Sequence, residues 1–159
     1  MVQIWLKDPF PHGDPRLPHQ TYPPKRLFPD ELTKKTGACV WQIDVKNPVS
    51  MGKRITTLKL DRGFKREDIV IIDEKTTTNF QEKLDQLFSL SIRSQEEAKL
   101  VLEGEAYFDI HDMEEDKWIR VMVESGDLIT IPKQTAFRFT TTPKNYVRMK
   151  RFFKDDPRG

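Results

Sequence analysis

LVLEGEAYFDI at 100–110 and WIRVMV at 118–123 open a run of alternating apolar and polar residues. It continues through LITI at 128–131, AFRFT at 136–140 and YVRMKRFF at 146–153. A period of two over four to eight residues marks a half-buried strand, because successive side chains leave opposite faces of the chain. Six strands are expected: Leu100 to Glu103, Ala106 to Ile110, Trp118 to Val123, Leu128 to Ile131, Ala136 to Thr140 and Tyr146 to Phe153. Turn-forming clusters separate them at Glu103-Gly104, Met113-Glu114-Glu115-Asp116, Ser125-Gly126-Asp127 and Thr142-Pro143-Lys144. Short strands at close spacing read as a sandwich, a jelly roll or a barrel, so the expected class is mainly β.

Upstream the period changes. Phe80, Leu84, Leu87 and Phe88 share one helical face, and Asn79 with Glu82 has the spacing of a capping box, so a helix is expected over 79–88. Cys39, Trp41, Ile43 and Val45 alternate as a strand would, which implies a buried, inert Cys39 thiol. Seven of the eleven prolines fall between Pro9 and Pro29, a density that forbids a regular helix or a central strand. This arm should wrap over the surface, with Val2, Ile4 and Trp5 pairing as an edge strand. A short helix follows, with Asp30 as the expected N-cap and Gly37 just past its end. The polar stretch 51–66 carries no assignable element. One domain over 1–159 is expected: the arm and first helix at 1–37, packed on a barrel core at 38–159.

Lys plus Arg number 27 against 25 Asp plus Glu, a net charge of +2 that is too even to imply a nucleic-acid or membrane partner. The basic and aromatic stretch from Lys144 to Arg158 reads first as a barrel strand with one solvated face, and second as a nucleic-acid surface. A lone cysteine excludes an internal disulfide framework and fits a reducing compartment. No stretch approaches the roughly 20 apolar residues of a membrane span, so a soluble intracellular protein is expected, and the expected state is a monomer.

Ser91-x-Arg93-x-x-x-Glu97-x-x-x-x-x-x-Gly104, followed by Gly126-Asp127-x-x-x-x-Pro132-x-x-x-x-Phe137-x-Phe139, resembles the two-part metal frame of cupin barrels. More specific strings spread over the chain: Val2-Gln3-Ile4-Trp5, Gly13-Asp14-Pro15-Arg16-x-Pro18-His19, Val40-Trp41, Tyr107-Phe108-Asp109, Trp118-Ile119-Arg120, Gly126-Asp127-Leu128-Ile129-Thr130-Ile131-Pro132, Arg138-Phe139-Thr140 and Lys144-Asn145-Tyr146. Together they resemble acireductone dioxygenase. That resemblance implies a cupin (double-stranded β-helix, jelly-roll) barrel with flanking helices. It further implies Fe(II), Ni(II) or Co(II) chemistry on an acireductone in methionine salvage, and a cytoplasmic location with access to the nucleus.

The resemblance also implies three His ligands and one Glu, and here the chain departs from it. The His positions carry Ser91, Arg93 and Phe137, and only Glu97 remains. Lys99 stands where the family places an arginine thought to hold the substrate's anionic oxygens. One carboxylate cannot hold a catalytic transition metal, which needs several converging donors. No metal and no cofactor is therefore expected. Residues 91 and 93 of a strand face one way, so the Arg93 guanidinium is expected to replace the metal as the positive charge on Glu97, with Phe137 filling the space of an imidazole. The alternative leaves Arg93 and Glu97 both solvated at the barrel mouth.

The three histidines, His12, His19 and His111, read as surface residues. Asp109, His111, Asp112, Glu114 and Glu115 could loosely hold a divalent ion, but such a run is more often a solvated turn. The leading reading is an inactive homologue of acireductone dioxygenase, retained as a binding or regulatory protein for an unidentified small molecule or protein. The alternatives are an active enzyme with a relocated or altered ligand set, and a structural partner of an active paralogue.

Overall fold

The structure is a computed structural model and describes residues 2–154. Every strand pairing is antiparallel. The longest strand, β4 (Glu97–Asp112), organises the rest. Its first half pairs with β6 (Asp127–Ile131) on one side and β8 (Tyr146–Phe153) on the other. Beyond these lie β2 (Cys39–Gln42), next to β6, and β3 (Arg66–Asp73), next to β8. The second half of β4 pairs with β5 (Lys117–Glu124) and β7 (Phe137–Thr141), and β1 (Gln3–Leu6) extends β5.

One strand therefore serves two sheets. The handover falls at Gly104, whose φ of +83° is open to glycine at little cost and strained for other L-residues. A register shift between Val101 and Glu103 accompanies it. The expected strands 100–103 and 106–110 are thus one bent strand of 16 residues.

Alternation along β4 sorts its side chains. Val101, Ala106, Phe108 and Ile110 enter the core between the sheets with Val121, Phe139 and Met149. Ala98 and Leu100 face outward and are covered by a second cluster with Ile55, Phe64 and Phe152. That cover comes from α2 (Pro48–Arg62), begun by Asn47, whose side chain accepts from the Ser50 amide at 3.1 Å. Two further helices, α1 (Pro29–Thr36) and α3 (Phe80–Phe88), complete the fold, α3 lying beside β7.

Several local expectations are corrected. The N-cap of α1 is Phe28, with Glu31 Oε1 accepting from the Phe28 amide at 3.1 Å and Asp30 in the first turn. Proline at the first helical position sets that start, because its missing N–H would be unpaired there anyway. Asn79 does begin α3, but with φ of 53° and no side-chain cap bond, so the capping box with Glu82 does not form. The stretch 51–66 is mostly helix, and β3 has no counterpart among the expected elements. Trp41 is 38% exposed beneath the Arg62 guanidinium, and Cys39 is only half-buried. Arg158 and the last residues of the basic stretch lie outside the described residues.

Candidate functional site

Between β3, α3, β4 and β7 lies a cavity of ≈ 120 Å³ with an apolar interior of Val70, Leu87, Phe108, Phe137 and Met149. Its polar lining is Gln86, Ser91, Arg93, Glu97, Lys99 and Arg151. All four positions of the degenerate ligand frame meet there, with Lys99 among them. The residues before β4 are not in a regular strand. Ser91 is pinned to Phe137 by two backbone bonds of 2.9 Å each, and the Arg93 carbonyl accepts from the Gln134 amide at 2.8 Å.

Glu97 opens β4, so Lys99 stands on the same face two residues on. Its Nζ donates to Glu97 Oε1 at 2.5 Å, with the two side chains only 6% and 11% exposed. The ammonium also lies 4.9 Å from the centroid of the Phe137 ring. Arg93 Nε is 3.4 Å from Glu97 Oε2, but its side chain is 53% exposed. The expected ion pair of Arg93 with Glu97 forms, though at the mouth, and Lys99 adds a second, shorter and buried partner that the sequence reading did not foresee. Burial draws the Lys99 ammonium below its usual range, and the Glu97 carboxylate pulls it back up. Arg151 reaches the cavity already engaged, with two bonds of 2.9 and 2.7 Å to Asp68.

The residues present do not fit a transition metal. A guanidinium stays protonated and offers no lone pair, a phenyl ring has no donor, and one carboxylate oxygen already accepts from an ammonium. Among the described residues, no group of three His, Cys, Asp or Glu side chains converges elsewhere. The candidate acidic run disperses. Asp109 is buried in an ion pair, Asp112 accepts from the Glu114 amide at 3.1 Å, and His111 bonds Asp116 at 2.7 Å. His19 bonds the Asp14 carbonyl at 2.7 Å, and His12 is exposed.

Sequence reasoning found the cavity positions but missed the Lys99–Glu97 pair. The signal was present, since i and i+2 on one strand face the same way. The buried pair of Asp109 with Arg120 was missed as well.

Two sheets curled round one cavity, with the ligand frame on its wall, define a cupin. The ARD/ARD' family model matches residues 3–159. A Caenorhabditis elegans protein named "Probable inactive acireductone dioxygenase 2" is 51% identical over 98% of both chains. The Drosophila melanogaster "Acireductone dioxygenase" is 37% identical over 99% of this chain and 83% of its own. In structure, an acireductone dioxygenase from Bacillus anthracis with cadmium in its active centre superposes with a TM-score of 0.78, at 18% identity, over 98% of this chain and 94% of the other. The chain belongs to the acireductone dioxygenase family.

Proposed function

We propose that this chain is an inactive homologue of acireductone dioxygenase, a binding or regulatory protein rather than an oxygenase. The observation that carries the reading is the Lys99 ammonium seated on Glu97, where active chemistry would need an open carboxylate and three imidazoles. The relatives named as inactive support it. We further propose that the occupant of the cavity is a small molecule with an apolar body and an anionic end. The walls are apolar, and the polar groups carry more positive charge than negative: Arg93, Lys99 and Arg151 against Glu97 and Asp68. No helix among the described residues is long and apolar enough to cross a membrane, and a cytoplasmic location remains part of this proposal.

The test is the metal content of purified protein by elemental mass spectrometry, with turnover of an acireductone measured alongside. Substoichiometric iron, nickel and cobalt with no turnover is the expected result. One bound equivalent, with turnover abolished by Glu97→Ala, would favour an active enzyme with an altered ligand set.

A further inference from the structure

We propose that Arg93 selects the occupant of this cavity: a monoanion whose apolar tail, about four to six carbons long, points inward while its charge stays at the mouth. The inference deepens the ligand class proposed above and rests on it.

The charges round the cavity pair off unequally. Lys99 Nζ donates to Glu97 Oε1 at 2.5 Å, and Asp68 holds Arg151 through bonds of 2.9 and 2.7 Å. Each of those cations has a carboxylate to itself at hydrogen-bond distance. Arg93 does not. Its side chain makes no hydrogen bond among the described residues, and its ion-pair contact, at 3.4 Å, is with the Glu97 carboxylate that Lys99 already engages. Three cations against two carboxylates leave one positive charge over, which complements a single negative charge on the ligand.

Position decides between the cations. An anion on Lys99 would lie beside the Glu97 carboxylate in a pocket where repulsion is little screened. The Arg93 side chain is 53% exposed, so an anion there keeps part of its hydration. Its Nη1 and Nη2 groups can also give a carboxylate two parallel bonds.

Polarity falls with depth. Gln86 and Arg93 are exposed and Ser91 is half-buried, whereas Phe108, Phe137 and Met149 are 1%, 5% and 4% exposed. The volume of ≈ 120 Å³ is somewhat below the ~150 Å³ that takes up one benzene ring. A short tail fits, and a longer one has nowhere to go.

The experiment is calorimetric titration of the unaltered chain, Arg93→Gln and Arg93→Lys with sodium butanoate, hexanoate and octanoate, and with 1-hexanol. Arg93 is exposed and lies outside the strands, so both variants should keep the fold, which circular dichroism checks. Arg93→Gln should bind hexanoate about tenfold more weakly, with 1-hexanol changed less than about twofold. Arg93→Lys should fall between, since it keeps the charge without the fork. Affinity should climb from butanoate to hexanoate and stop there, whereas a tail free to extend along open apolar surface would gain about fourfold for each further methylene. Equal hexanoate affinity in the unaltered chain and Arg93→Gln overturns the role of Arg93, and a climb continuing through octanoate overturns the inward tail. Failure of the unaltered chain to bind any of the four compounds would sink the ligand class itself. Binding that ignores residue 93 sinks only this inference.

Discussion

Arg120 and Asp109 face each other across β5 and β4 as a two-pronged ion pair, Nε to Oδ1 at 2.7 Å and Nη2 to Oδ2 at 2.9 Å. Neither side chain is more than 1% exposed. Lys7 Nζ adds a third contact to Asp109 at 2.7 Å, and Arg120 Nη1 donates to the Pro15 and Leu17 carbonyls at 2.9 and 2.5 Å. One guanidinium thus satisfies a buried carboxylate and fastens the proline-rich arm, whose prolines lack the N–H groups for a regular ladder.

Arg120→Met should cost about 3–5 kcal/mol, the usual result of leaving a buried charge without its partner. It should also release the arm, so limited proteolysis ought to cut near Pro15 to Leu17 before the barrel is touched. Arg120→Lys keeps the charge but not the fork and should rescue only part of both effects. An Arg120→Met protein with unchanged unfolding midpoint and an uncut arm would refute the clamp.

The cavity pair predicts an ordering of stabilities. Lys99→Leu leaves Glu97 without its buried cation and should cost about 3 kcal/mol, whereas Arg93→Ala removes a solvent-screened contact worth about 1 kcal/mol or less. The double variant Glu97→Leu with Lys99→Leu should be more stable than either single one, since apolar groups can replace a buried pair with little penalty. Urea unfolding of the four proteins settles it, and additive single costs in the double would show that the pair is not coupled.

The pH dependence follows from the direction of the Lys99 shift. A lysine lowered below 10.5 by burial binds fewer protons in the folded chain than in the unfolded one over the interval beneath that value. Stability contributed at this position therefore rises with pH there, and the penalty for burying the charge is fully present at lower pH. The stability of the unaltered protein relative to Lys99→Leu should improve as pH rises toward 10.5. A flat or falling difference on approach to that value would contradict the burial argument.

Glycine substitution separates strain from collision. At Gly63, φ is +74° and an added Cβ meets nothing within 4 Å, so Gly63→Ala should cost only the left-handed strain, about 1–2 kcal/mol. At Gly104, φ is +83° and the added carbon would collide with the Tyr146 carbonyl oxygen, a backbone atom held in the β8 pairing. Gly104→Ala should cost at least about 2 kcal/mol more than Gly63→Ala, read as the difference in unfolding midpoints at constant slope. Equal costs would mean that β4 can shift at its bend.

Alternation was enough to find β4 to β8, because successive side chains enter opposite faces, even where, as in β6, a second cluster covers the outer one. It was not enough for α2, whose apolar residues are divided. Ile55 is buried, while Val49 and Leu60 are 69% and 79% exposed, so no single stripe stands out. In β3 the unbroken run Ile69-Val70-Ile71-Ile72 hides the period, although Ile69 and Ile71 face solvent and Ile72 faces the core. At the cavity, the placement of Ser91 and Arg93 and the contact of Arg93 with Glu97 were legible, but the exposure of Arg93 was not, because these residues form one isolated bridge rather than a strand. Alternation applied inside β4 itself, from Glu97 to Lys99, leads to the observed pair. Asp109 resisted for a different reason: nothing in the local sequence shows that its counter-charge comes from the neighbouring strand and from Lys7.

Because β4 belongs to both sheets, the barrel has no seam along which it could come apart. Stripping β6 and β8 away would bare the face that positions Glu97 and Lys99, and stripping β5 and β7 would open the core at Phe108 and Ile110. Once the shared strand goes, only the two-stranded pairs β2–β6, β3–β8 and β1–β5 remain, none of which can bury a core alone. Unfolding should accordingly be a single cooperative event, with the cavity, the bend and the clamped arm lost at one denaturant concentration.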